Sequence, residues 1–188
     1  MKKKTGRVQE VVNSDLDKNI VCFGDLIVIK HLKTGVRLSS EIGSKTVSQV
    51  SLMEGNAKQK WTVRVGEEDH FADGNPIHDN QILILENKSN NKNLVSGMHT
   101  NNAVRCVETL DAKENKWKLI LNVFSESRSY HLKEGSIFRL MHISSQTYMS
   151  IRLQSKDDIV TSKNGDSDDT LWVVETISAK FQFDKDLY

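Results

Sequence analysis

GDLIVIKHLKTGVRLSS, residues 24–40, sets out a pattern that the chain uses three times. Its first eight residues lie without a gap over NQILILEN (80–87) and GSIFRLMH (135–142), and Leu38 lies over Leu94 and Met149. Gly24, Asn80 and Gly135 each precede a tryptophan by 37 residues, because 61−24, 117−80 and 172−135 all equal 37. Trp61, Trp117 and Trp172 are the only tryptophans, and they stand 56 and 55 residues apart (117−61 and 172−117). A fixed period of this size marks units that cannot bury their apolar faces alone and must pack on one another.

Within each unit the pattern has period two. Ile27 and Ile29, Leu83 and Leu85, and Phe138 and Leu140 form one apolar face, as the buried side of a pleated strand requires. The other face is mixed: Leu26, Val28 and Lys30 in the first unit, and Ile137, Arg139 and Met141 in the third. Turns follow at LKTG (32–35), KSNN (88–91) and ISSQ (143–146), then a short second strand around Leu38, Leu94 and Met149. Third strands are expected near 47–52, 103–107 and 158–162, and fourth strands in KWTVRV, KWKLIL and LWVVET. AKENK and NGDSDD read as polar turns, and the inter-unit linkers VGEEDHFADGNPIHD and NVFSESRSYHLKE as hydrophilic connections. Pro76, the single proline, is incompatible with a central strand.

The expectation is an all-β chain of about twelve strands with no significant helix. A ring of three four-strand units removes the exposed edges that an open stack would leave. That ring is a β-trefoil with pseudo-threefold symmetry. Ile27, Leu83 and Phe138 should then meet near the axis, and the three indoles should fill equivalent core positions, each burying about 150–250 Å². The expected layout is a polar tail over 1–19, one trefoil over 20–177 with repeats of about 20–72, 73–128 and 129–177, and a tail over 178–188.

The 188 residues suit one domain with a real core. Their 26 basic and 25 acidic side chains nearly cancel, so no long-range field steers nucleic acid or an anionic membrane toward the chain. No apolar run approaches the roughly 20 residues that span a bilayer, so direct membrane insertion is not expected. MKKKTGRVQEVV is basic but lacks an apolar segment of signal type. The chain therefore reads as cytoplasmic as written, or as a mature or excised piece. Cys22 and Cys106 read as two reduced thiols, with a disulfide between repeats as the alternative.

His31 and His142 occupy equivalent places with Asn87 between them, and a side-chain hydrogen bond to the turn explains the recurrence. A metal site on the axis is not expected, because Asn87 is a poor ligand. His70, His78, His99 and His131 fall in loops without a partner at ligand spacing. No GxSxG elbow, Cys–His signature or glycine-rich phosphate cradle occurs, so no catalytic residue and no cofactor is assigned. Glu67-Glu68-Asp69, Asp157-Asp158 and Asp168-Asp169 read as solvated loops. The turns after the first strands carry Lys33, Arg37, Lys92 and Asn93, and the third unit carries Gln146 and Arg152. Such loops on a rigid scaffold present donors to an anionic or sugar ligand. Asn87-Lys88-Ser89 is an N-glycosylation sequon.

These residues resemble the MIR domain, named for protein mannosyltransferases, inositol trisphosphate receptors and ryanodine receptors. The resemblance rests on Gly24, Ile27, Ile29, His31, Thr34, Gly35, Leu38 and Trp61. It continues in Ile82, Ile84, Asn87, Leu94 and Trp117, and in Gly135, Ile137, Leu140, His142, Met149 and Trp172. Three such units in one small chain are similar in layout to the stromal-cell-derived-factor proteins of the endoplasmic reticulum. Those carry L-H-S-H after the turn, where this chain has Leu38-Ser39-Ser40-Glu41, and FQFDKDLY is not a retrieval tail. The resemblance implies a monomeric, non-enzymatic module that binds a protein or glycan partner in protein O-mannosylation or endoplasmic-reticulum quality control. An inositol-phosphate-type domain, binding an anionic small molecule through Lys33 and Arg37, is the first alternative. A ricin-type lectin is the second, since Gln59-Lys60-Trp61 matches the Q-x-W motif of those trefoils.

Overall fold

The structure is a computed structural model that describes residues 19–40, 50–51, 57–66, 74–96, 103–108, 113–122, 130–152 and 159–178. Both expected tails fall almost wholly outside these residues, as do His70, His99, Glu67-Glu68-Asp69 and Asp157-Asp158. The first unit contributes β1 (Leu26–His31), β2 (Arg37–Leu38), β3 (Val50–Ser51) and β4 (Lys60–Val65). The second contributes β5 (Ile82–Asn87), β6 (Asn93–Val95), β7 (Arg105–Val107) and β8 (Trp117–Leu121). The third contributes β9 (Ile137–His142), β10 (Thr147–Ile151), β11 (Ile159–Ser162) and β12 (Trp172–Ser178). Among the described residues the helical segments are two 3-10 turns, Ala57–Gln59 and Asp168–Thr170, the second inside a segment expected as a polar turn.

The first and fourth strands of the units close a six-stranded antiparallel barrel. β1 pairs β4, β4 pairs β5, β5 pairs β8, β8 pairs β9, β9 pairs β12, and β12 returns to β1. The second and third strands pair as three hairpins, β2–β3, β6–β7 and β10–β11. This is the β-trefoil, and closure leaves the barrel no free edge. Alternation along β1, β5 and β9 is strict: Ile27, Ile29, Leu83, Leu85, Phe138 and Leu140 are buried, and the residues between them are half-buried. The six meet around a central void of about 10 Å³, which Val63, Leu119 and Leu132 also line.

The left-handed residues recur with the units. Gly24, Asn80 and Gly135 have φ of 94°, 67° and 80°, and the backbone N–H of each donates to the fourth strand of its own unit, at the carbonyls of Val63, Leu119 and Val174. Asparagine tolerates this conformation better than any other non-glycine residue, which is why Asn80 can stand in the glycine's place.

One expectation is corrected. The polar linkers are not solvated throughout. Val21, Ile77 and Leu132 are fully buried or nearly so, and their backbones form a closed triangle across one end of the barrel. Val21 N–H donates to Leu132 at 2.8 Å, Leu132 to Ile77 at 2.7 Å, and Ile77 to Val21 at 3.0 Å. The three positions keep the period, because 77−21 is 56 and 132−77 is 55. No motif surrounds these positions, so the plug becomes visible only when the three segments that lead into β1, β5 and β9 meet.

Candidate functional site

The residues that recur in the sequence converge on the three junctions between units. Each tryptophan is fully buried, and its indole N–H donates to the carbonyl of the second-strand residue 23 positions earlier. The bonds run from Trp61 to Leu38 at 3.0 Å, Trp117 to Leu94 at 2.9 Å, and Trp172 to Met149 at 3.0 Å. The indole thus fastens the hairpin of a unit to the barrel wall of the same unit.

The last residue of the first strand sits in register with the tryptophan of the preceding unit: His31 with Trp172, Asn87 with Trp61, His142 with Trp117. His31 and His142 are fully buried, and their ring centroids lie 5.1 Å from those of Trp172 and Trp117. Nε2 of His31 reaches the Asp169 carbonyl at 3.1 Å, and Nε2 of His142 reaches the Glu114 carbonyl at 3.0 Å. A carbonyl only accepts, so each Nε2 carries the proton. Nδ1 is then an acceptor, taking the Thr34 hydroxyl at 2.9 Å and the Ser145 hydroxyl at 2.8 Å. Asn87 performs the same two tasks with an amide. Its Nδ2 donates to the Lys58 carbonyl at 2.8 Å, and its Oδ1 accepts from the Ser89 N–H at 3.0 Å and the Ser89 hydroxyl at 2.6 Å. Each of these side chains therefore ties its own turn to the residue three before the neighbouring unit's tryptophan, and the ties run cyclically around the barrel.

This geometry has a pH consequence. Burial lowers the affinity of His31 and His142 for protons below the ordinary imidazole value, more than the bonds to Asp169 and Glu114 raise it. Below about pH 6.5 the unfolded chain binds protons that the folded chain resists, so stability is full above that pH and declines as the pH falls. We expect the urea midpoint to drop between pH 7.5 and 5.5, and the drop to shrink in His31→Asn/His142→Asn. Glu175, held below the usual carboxylate range by its hydrogen bond to Arg37, adds a separate loss only below about pH 4.5.

The candidate ligand-binding residues do not form one patch. Lys33 pairs with Asp169 at 3.1 Å on an exposed edge. Arg37 makes a two-point pair with Glu175, one arm being Nη2–Oε1 at 2.9 Å, and Lys30 reaches the same carboxylate at 3.3 Å. These pairs join the first unit to the third, and they occupy the donors that an anionic ligand would need. Lys92 is half-buried beside β6, and its carbonyl accepts from the Asn87 N–H. Asn93 lies within β6, in register with Glu86 and Val107. Arg152 is exposed just past β10. Gln59, Asn115 and Thr170, each two residues before a tryptophan, are buried. Gln59 and Trp61 of the Q-x-W triplet are accordingly buried, with Lys60 half-buried between them. Asn87 is 0% exposed with both amide atoms engaged, so the folded chain offers no acceptor at the sequon.

Cys106 is buried and free, its thiol pushed up to about 11 by burial, and Cys22 is free and half-buried. His78 and His131, expected without a partner, face each other across an antiparallel bridge with ring centroids 4.3 Å apart. Among the described residues no group of three His, Cys, Asp or Glu side chains is placed to hold a metal ion.

No family profile and no curated protein sequence matches the chain. Solved structures do. The SDF2-like protein from Arabidopsis thaliana superposes with a TM-score of 0.71 at 19% identity, over 85% of this chain and 96% of that one. The S. cerevisiae protein O-mannosyltransferase Pmt1-Pmt2 complex, solved with its sugar donor, matches 90% of this chain and 27% of its own with a TM-score of 0.68 at 18% identity. SeviL, solved with the asialo-GM1 saccharide, matches at 13% identity with a TM-score of 0.55 over 84% of this chain and 99% of that one. A barrel of first and fourth strands, three hairpins and three cyclic junctions thus place this chain among the β-trefoils, in the architecture shared by an SDF2-like protein, a mannosyltransferase segment and a saccharide-binding protein.

Proposed function

We propose that the chain is a non-catalytic binding module of the MIR type, which presents loops of a rigid trefoil to a glycan-bearing or unfolded protein partner. One observation carries this reading. The polar and aromatic side chains that recur with the period are turned inward and hold the units together. Recognition then falls to the loops, which differ from unit to unit, and loops on a rigid scaffold are where binding residues concentrate. The likeness to an SDF2-like protein and to a mannosyltransferase segment supports a role in protein O-mannosylation or endoplasmic-reticulum quality control, without a cofactor.

The test is a binding panel on the purified chain: O-mannosylated peptides, the same peptides unmodified, a reduced unfolded protein, and a glycan array. Saturable binding to the mannosylated or the unfolded arm supports the reading. Background signal on every arm removes it. Calorimetry with inositol trisphosphate is expected to give no heat, since Arg37 and Lys33 would have to leave Glu175 and Asp169 to bind it.

A further inference from the structure

We infer that His78 and His131 form a surface site for one late first-row divalent metal ion, Cu²⁺ foremost. Two backbone bonds flank the pair: Leu132 N–H to the Ile77 carbonyl at 2.7 Å and Asp79 N–H to the Tyr130 carbonyl at 2.9 Å. The two histidines therefore occupy a non-hydrogen-bonded position of an antiparallel bridge, where facing side chains approach most closely. Their centroids are 4.3 Å apart and their planes tilt by 46°.

The fold does not require imidazoles here. The plug repeats this bridge at its other two corners, and those pairs are Ile20 with Lys133 and Cys22 with Pro76. Unlike His31 and His142, which are buried in the junctions, His78 is exposed and His131 is half-buried, so an ion has access. The second imidazole χ angle is soft, so small rotations turn one nitrogen of each ring toward a common point. A metal at about 2.0 Å from nitrogen lies about 3.1 Å from the ring centroid. Two rings at a right angle about it then have centroids about 4.4 Å apart, and two at the tetrahedral angle about 5.1 Å. The observed separation matches the right-angle corner, which square or tetragonal ions prefer, and Cu²⁺ also stands highest in divalent affinity.

The Asp79 carboxylate does not join the ligand set. Its Oδ1 accepts from the Leu121 N–H at 2.7 Å, and its Oδ2 accepts from the Asn80 amide at 2.7 Å. Water fills the remaining positions. Because the two ligands come from different linkers, the ion bridges the start of the second unit to the start of the third, and metal bound only to the folded chain raises its melting temperature.

The experiment titrates the intact chain with Cu²⁺, reading nitrogen superhyperfine structure by electron paramagnetic resonance and melting temperature by circular dichroism. Ni²⁺ serves as a check insensitive to thiol reduction. The expected result is one equivalent bound with two nitrogen ligands and a higher melting temperature. His78→Lys and His131→Ile, which copy the pair at the Ile20 corner and so keep the fold, should each weaken binding at least tenfold and abolish the shift. His99→Ala should leave both readouts unchanged. Unaltered binding in His78→Lys and His131→Ile would place the ion elsewhere and overturn the proposal, as would no saturable binding by the parent chain. Neither outcome bears on the peptide and glycan panel.

Discussion

Trp117→Ala is expected to lower stability by about 3–5 kcal/mol, read as a fall in the urea midpoint at unchanged slope. The indole is fully buried, and burying a ring of its size contributes on the order of 4–6 kcal/mol in area alone. Truncation removes that area, leaves a cavity against His142, and strands the Leu94 carbonyl without its donor. The loss approaches the whole stability of an ordinary domain. Trp117→Phe separates the two contributions. It keeps a six-membered ring in the core and removes the N–H with part of the indole area, so its cost should fall clearly below that of Trp117→Ala. Equal losses for the two variants would mean that the hydrogen bond, not the packing, holds the hairpin.

His142→Ala is expected to cost about 2–4 kcal/mol, while His142→Asn costs less than half as much. Alanine abandons two half-buried partners at once, the Glu114 carbonyl and the Ser145 hydroxyl, together with the ring of Trp117. Asparagine keeps a donor and an acceptor in the relation that Asn87 already uses to bridge Lys58 and Ser89. The converse change, Asn87→His, should be close to neutral in stability, and it removes the sequon as well. Thermal melts of the three variants side by side check the exchange. If His142→Asn were as damaging as His142→Ala, the two side chains would not be performing one task.

How much of this was legible follows from what each feature needs. The trefoil could be read because three indoles must do one job in three places, which forces equal spacing and equal surroundings. His31 and His142 stand out because they recur with Asn87 in the third place, and the structure gives all three a matching pair of hydrogen bonds. The plug could not be read, since Val21, Ile77 and Leu132 have unlike neighbours and meet only through backbone bonds between distant segments. Nor could the pairing of Arg37 with Glu175, which unites residues 138 positions apart with no local signature. From its place after the first strand Arg37 reads as a donor for an anionic or sugar ligand, and only the register of β1 on β12 brings a carboxylate to it. His78 and His131 escaped for the same reason: their meeting depends on two linkers crossing at one corner of the barrel.

The pairing of β1 with β12 also decides when this protein can become itself. On the ribosome, β1 finds one of its two wall partners only after the third unit has been made, 138 residues after Arg37 in the case of Glu175. Until then one side of β1 lacks its ladder, and the indole that must settle against His31 has not been synthesised. Closing the barrel therefore waits on the pairing of β1 with β12, which is slow in the manner of chains dominated by distant pairings. Without Trp172–Ser178 the barrel wall would keep unpaired edges at β1 and β9, of the kind that pair with other chains.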